Sequence, residues 1–291
     1  MKRKVAIVAD ASAAVPPQLI TSYGIGIVPL HVIVDDEDHL ETEMDMDAFY
    51  RRLGQRGEVP TTSPPSVGEV LKAYERAASI AGSIVSIHLT AVFSATCDVA
   101  VEAAKQAMTE HPGLDIRVID SRTVEAGEGL LAIEAASLAV AGADIDAVVR
   151  KVYDVRKRLC SLYAFETLFY RDKGGRIYKA KPWAMAEERS GPGFKNLIQV
   201  DESTGGTVSQ AGRAETKREL LKSAVEMANA RLGDDRLRGS IVHANARDDA
   251  DHLKRMLEDN LQCDTLFVSE GLAATAAQNG GGFISFAFYP V

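Results

Sequence analysis

Cysteine is scarce in this chain. Cys97, Cys160 and Cys263 are the only three in 291 residues, far apart and without a CxxC spacing. That excludes a disulfide framework and a cysteine metal cage, and it fits the reducing cytoplasm, the location the sequence predicts. No apolar run reaches the ~18 residues that a membrane-spanning helix needs. The opening MKRKVAIVADAS passes straight into a strand-like segment, with no apolar leader or cleavage site, so neither secretion nor a membrane span is expected. Positive charge is also in short supply. Thirty-three Lys and Arg against 41 Asp and Glu give a net charge of −8, which argues against nucleic acid as a partner.

The signatures of common chemistries are missing too. There is no GxSxG elbow, Walker loop, HExxH or GxGxxG. EAGEGLLA (125–132) offers Gly127 and Gly129 but lacks the third glycine and the preceding strand. His31, His39, His88, His111, His243 and His252 show no metal-ligand spacing, and His88 and His243 lie in strand-like runs as core or strand-end residues. The acidic segment Asp35–Asp47 lacks the glycine-centred calcium-loop pattern and reads as a solvated loop. No metal and no cofactor are implied.

What is present is an α/β rhythm in a chain that is 46% hydrophobic and 25% charged. Lys4–Ala9, Ile25–Val34 (interrupted by Pro29), Ser83–Leu89 and Asp115–Asp120 read as strands, and helical patterns alternate with them up to residue 158. This predicts a parallel sheet with helices on both faces. After that the rhythm changes. Cys160–Phe165 is a strand, Thr167–Tyr170 a short helix, and Asn196–Asp201 with Gly206–Gln210 flank DESTGG like a hairpin. The expectation is an N-terminal parallel-sheet α/β domain over 1–158 and a C-terminal α/β domain with a mixed sheet over 159–291.

Two stretches carry candidate chemistry. In IHLTAVFSATCDVAVEAA, Ser94 stands where a buried strand meets a helix, as an N-cap with Thr96 in the first turn. A helix start with unpaired N–H groups can hold an anion, although a serine there can equally do no more than cap its helix. In PTTSPPS, the prolines stiffen a loop that could hold the hydroxyls of Thr61, Thr62 and Ser63 in place. A plain turn with Ser66 as N-cap is the other reading. Arg176, after two glycines, could reach an anion or a partner, or simply be a surface arginine.

Taken together these stretches resemble the DegV family of bacterial fatty-acid-binding proteins. IVADASAAVP is similar to its opening strand and turn, TTSPPS to its Thr-Ser-Gln-Pro-Ser loop, and LTAVFSAT to its Leu-Ser-Gly-Thr segment. VIDSRTVEAGEGLLA, LFYRDKGGRIYKA, AGRAETKREL and GGGFISFAFYP follow in the family's order. The resemblance implies a non-enzymatic, cytoplasmic carrier that holds a long-chain fatty acid between two α/β domains and presents its carboxylate to a separate fatty acid kinase. By the same resemblance the carboxylate binds Thr62, Ser63 and Ser94. Arg176 and Arg213 fall on family arginines for the kinase or the phosphorylated product. The family's late histidine falls on Gln278 and the serine and second aspartate of its first turn on Ala11 and Ala14, which weakens the case for phosphorylation more than for binding. The stretch 183–193 departs from the pattern. The small residues in 94–108 and 126–140 lean toward an alkyl tunnel, with ordinary helix packing as the alternative. A rival reading is an α/β enzyme acting on a carboxylated or phosphorylated metabolite, with Asp10 or Asp120 as base.

Overall fold

A computed structural model describes residues 3–53, 59–173 and 194–291. Its first sheet has the order β2-β1-β6-β7 and is parallel throughout, from β1 (Arg3–Asp10), β2 (Gly26–Val28), β6 (Ala81–His88) and β7 (Asp115–Asp120). Both faces of β1 are apolar, as a central parallel strand requires. Val5, Ile7 and Ala9 pack toward α1 (Pro17–Tyr23), α5 (Glu125–Val140) and α6 (Ile145–Arg158), while Ala6 and Val8 pack toward α3 (Val67–Ile80) and α4 (Thr96–Glu110). Ser66 caps α3 in a reciprocal capping box with Glu69.

The expected strand 25–34 is two strands. Pro29 cannot donate to a ladder, and the chain turns away there. β2 stays at the edge of the parallel sheet, and β3 (His31–Val34) joins a separate antiparallel sheet with β4 (Glu37–Leu40) and β5 (Thr61–Ser63), in the order β4-β3-β5. The segment expected as a solvated loop therefore holds a strand. Asp35 and Asp36, at φ 53° and 63°, make the two-residue turn between β3 and β4, and short acidic side chains tolerate that left-handed backbone. A single 3-10 turn, Glu41–Glu43, leads on to α2 (Met46–Leu53).

Glu41 is the main exception to the solvated reading. It is 2% exposed and accepts the backbone N–H of Leu30 at 2.9 Å and of Ala274 at 3.2 Å. Burial pushes its carboxyl up to about 7, against the two backbone hydrogen bonds, which favour the ionised form. Because the folded chain holds this proton and the unfolded chain releases it near pH 4.5, stability falls as pH rises from about 4.5 to about 7, then levels. The full span is worth about 3 kcal/mol. Urea unfolding at about pH 5 and pH 7.5 is expected to show this fall in the wild type and not in Glu41→Gln. Parallel curves for the two proteins would contradict it.

After Arg158 the chain builds the second sheet, with order β10-β9-β8-β13-β11-β12. Its strands are β8 (Cys160–Ala164), β9 (Lys195–Gln199), β10 (Ser209–Ala214), β11 (Leu237–Ala244), β12 (Cys263–Glu270) and β13 (Phe283–Pro290). Only β11 and β12 run parallel, so the sheet is mixed as expected. The predicted hairpin is β9–β10, which lies slightly off the expected bounds. α8 (Lys217–Leu232) and α9 (Arg247–Asn260) cover one face. α7 (Phe169–Lys173) begins two residues later than expected, and α10 (Ala273–Asn279) was not expected at all. Helix α5 serves both sheets: Val242, Ala287 and Tyr289 of the second share one apolar cluster with Val5, Ile7 and Leu131. Gly129 explains how α5 comes so close, since a Cβ there would lie 2.2 Å from the Ala13 carbonyl oxygen. The glycines of EAGEGLLA serve packing, not a nucleotide.

Candidate functional site

β5, the turn after β6, the start of α5, α7 and α10 meet around one cavity. It is lined by Thr62 and Ser63, Leu89, Phe93 and Ser94, Val124 and Glu125, Arg171, and Ala274, Thr275 and Gln278, with Ser12 and Leu30 completing the wall. Thr62, Ser63, Ser94 and Gln278, separated widely in sequence, are thus brought together. Gln278 Nε2 donates to Thr62 Oγ1 at 2.8 Å.

Thr62 is held by the β3–β5 ladder, opposite Val32, rather than by a loop. Ser94 is not the N-cap. That position belongs to Ala95, which makes no side-chain cap, and α4 starts at Thr96. Ser94 Oγ instead accepts Thr96 N–H at 3.2 Å and shares a 2.8 Å hydrogen bond with Thr96 Oγ1. The fully buried Thr96 therefore aims the serine. Arg213 lies on β10 and does not line the cavity. Its guanidinium sits 4.0 Å from the Phe194 ring centroid. Arg176 and the stretch 183–193 lie outside the described residues.

Two charged residues that the sequence did not single out complete the site. Arg171 is 5% exposed. Its Nε donates to Asn279 Oδ1 at 2.8 Å, its Nη2 is 3.9 Å from Glu125 Oε1, and its guanidinium packs between the Phe93 and Phe165 rings. Burial pulls its pKa down, with Glu125 opposing, but a guanidinium stays charged in proteins. Glu125 is 4% exposed and opens α5 with a φ of 44°, strained for a residue with a Cβ. The Tyr163 hydroxyl holds the strained segment by donating to the Val124 carbonyl at 3.0 Å.

Asp10 and Asp120, the bases of the rival enzyme reading, do not line this cavity. Asp10 is fully buried and accepts from Ser12 N–H at 3.1 Å and Leu89 N–H at 3.0 Å, with His88 Nδ1 at 3.1 Å. Asp120 accepts Arg122 N–H at 2.8 Å. Both carboxylates brace turns. Among the described residues no cluster of His, Cys, Asp and Glu could hold a metal ion, and no helix is long and apolar enough to cross a membrane.

The cavity measures about 40 Å³, enough for a carboxylate or a few waters and not for an alkyl chain. The alanines of α4 and α5 do not form the tunnel that their size suggested. Ala100, Ala103, Ala104 and Ala107 pack against Val70 and Tyr74, and Ala132, Ala135 and Ala136 fill the core around α5. Behind the cavity lies a different apolar cluster, in which Leu30, Leu89, Val124, Phe165 and Ala274 continue into Val32, Phe49 and Leu53. A larger hollow of about 880 Å³ borders this cluster at Val34, Met44 and Phe49, and apart from the histidines His31 and His39 its polar wall is mostly acids and arginines.

The profile described as "Uncharacterised protein, DegV family" matches residues 4–291. A DegV domain-containing protein of Streptomyces coelicolor is 32% identical over 287 residues, 98% of each chain. Another from Clostridium perfringens is 27% identical over 263 residues, 90% of each. Among solved structures, a Thermus thermophilus DegV family protein described for its fatty acid binding superposes with a TM-score of 0.87 at 24% identity, covering both chains fully. A Eubacterium eligens relative loaded with heptadecanoic acid superposes at 0.86 with 18% identity, over 99% of this chain and 100% of that one.

Proposed function

The chain belongs to the DegV family, and on that footing we propose that it binds a long-chain fatty acid, with the carboxylate in the cavity between its two α/β halves. The observation that carries this reading is the convergence of Thr62, Ser63, Ser94 and the buried cation Arg171 on a space of carboxylate size. Each charge-assisted hydrogen bond to the head group contributes about 1.5–3 kcal/mol. The tail contributes more. At ~0.8 kcal/mol per buried methylene, a chain of about fifteen gives on the order of 12 kcal/mol before ordering costs. We run the tail into the apolar cluster behind the cavity, where it must displace side chains, so bound and free forms differ there in packing.

On this reading the chain is a cytoplasmic carrier with no catalytic group of its own, divided into domains at 1–158 and 159–291. A separate fatty acid kinase would phosphorylate the presented carboxylate, and Arg213 and Arg176, which fall on family arginines, would serve the kinase or the phosphorylated product. Gln278 stands where the family carries a histidine, so no imidazole is available there for this step. Mass spectrometry of the denatured, undelipidated protein is expected to release a long-chain fatty acid in near-stoichiometric amount. Carefully handled protein free of lipid, and unable to take up added fatty acid, would overturn the reading.

A further inference from the structure

The cavity contains an acid as well as a cation, and a bound carboxylate would be a second acid. Glu125 Oε1 is accounted for by Asn279 Nδ2 at 2.9 Å and by Arg171. Glu125 Oε2 is buried and has no hydrogen-bond partner among the described residues. The charge balance then decides. With Glu125 ionised, Arg171 would face two carboxylates in a buried space, leaving one negative charge uncompensated, at a cost of several kcal/mol. With Glu125 protonated, one cation meets one anion, and the orphaned oxygen becomes a donor.

Resting on the fatty-acid reading, we propose that Glu125 is a further head-group residue: it keeps a proton on Oε2 and donates it in a hydrogen bond to the bound carboxylate, so that binding retains or takes up one proton. The surroundings favour the protonated form. Burial raises the Glu125 pKa, and the neighbouring Asp10 adds to that, while Arg171 and the Asn279 hydrogen bond oppose it. Glu128, one turn along α5, and Tyr163 also face it. Glu128 is itself raised well above the ordinary range by burial and by Asp10, and burial keeps Tyr163 neutral. Among the described residues lining the cavity, Arg171 is the one cation. The strained φ of Glu125 fits this placement, since a residue held in the left-handed region at a cavity wall must be compensated by its surroundings.

The test is the pH dependence of binding for monomeric dodecanoate, with dodecanol as the head group that cannot ionise. Between about pH 6 and 9 the ligand itself stays ionised, so a slope reports on the protein. Wild-type affinity for dodecanoate is expected to fall with rising pH, approaching about tenfold per unit once Glu125 ionises in the free protein, which is the limit for one linked proton. Glu125→Gln, a mimic of the protonated acid, is expected to bind dodecanoate as tightly as the wild type does at low pH and to lose the slope. Dodecanol should be flat for both proteins. Calorimetry of the wild type in two buffers of different ionisation enthalpy reads proton uptake directly, so the outcome does not depend on the variant folding. Parallel falling slopes in the two proteins, Glu125→Gln binding tighter or weaker than the wild type at every pH, or a fall in wild-type affinity without proton uptake would overturn the proposal; a flat wild type matched by Glu125→Gln means that the proton is retained throughout. Dodecanol bound while dodecanoate is refused at every pH would overturn the carboxylate reading and this inference together.

Discussion

Replacing Thr62 with valine and Ser94 with alanine together is expected to lower fatty-acid affinity about 10²–10⁴-fold. The estimate follows from losing two hydrogen bonds to a charged acceptor at about 1.5–3 kcal/mol each. Valine keeps the shape of threonine on β5, and alanine at position 94 keeps the start of α4, whose first residue Thr96 is buried. The chain should therefore fold, and a change in thermal midpoint beyond a few degrees would be unexpected. The two losses will not sum simply, since both hydroxyls address one head group. Titration with dodecanoate gives the ratio directly. Unchanged affinity in the double variant would place the head group elsewhere.

The second large effect concerns Arg171. Arg171→Leu removes the cation that balances a bound carboxylate, and removing one partner of a buried charged contact costs about 3–5 kcal/mol, or at least a hundredfold in affinity. The same change leaves Asn279 Oδ1 without its donor and Glu125 without its neighbour, so some stability goes with it. Dodecanol separates the two effects. Its binding should change little if Arg171 acts on charge, and should fall in parallel with dodecanoate if the substitution only loosens the fold. Arg171→Lys is expected to rescue poorly, because an ammonium cannot reproduce the planar fork between two aromatic rings.

Much of the frame was legible because parallel strands advertise themselves. KVAIVA and SIVSIHL are mostly β-branched or apolar, and the helices between them have clear periods. α10 was not legible. AATAAQN has no amphipathic period, is seven residues long, and is helical because it packs into the cluster around Leu30 and Phe283. The hydroxyl pair was readable as two separate stretches, each with an ordinary alternative, and only the β3–β5 ladder and the turn after β6 bring them to one wall. Arg171 and Glu125 carry no local signal at all. One sits in a basic stretch and the other opens a helix that reads as packing, and they become a site because their partners come from far along the chain. Glu41 looked solvated for the same reason. Its two hydrogen-bond donors, Leu30 and Ala274, sit on segments that neighbouring residues say nothing about.

Helix α5 has a further consequence for how the molecule is made. Its side chains complete the interior of the first sheet and also cover Val242, Ala287 and Tyr289, on strands that follow it by more than a hundred residues. β13 itself is inserted between β8 and β11, so the second sheet has a gap at its middle until β13 is made. A nascent or truncated chain stopping near residue 158 would present one greasy side of α5 to water. Maturation of this protein is therefore a closing event that waits for β13.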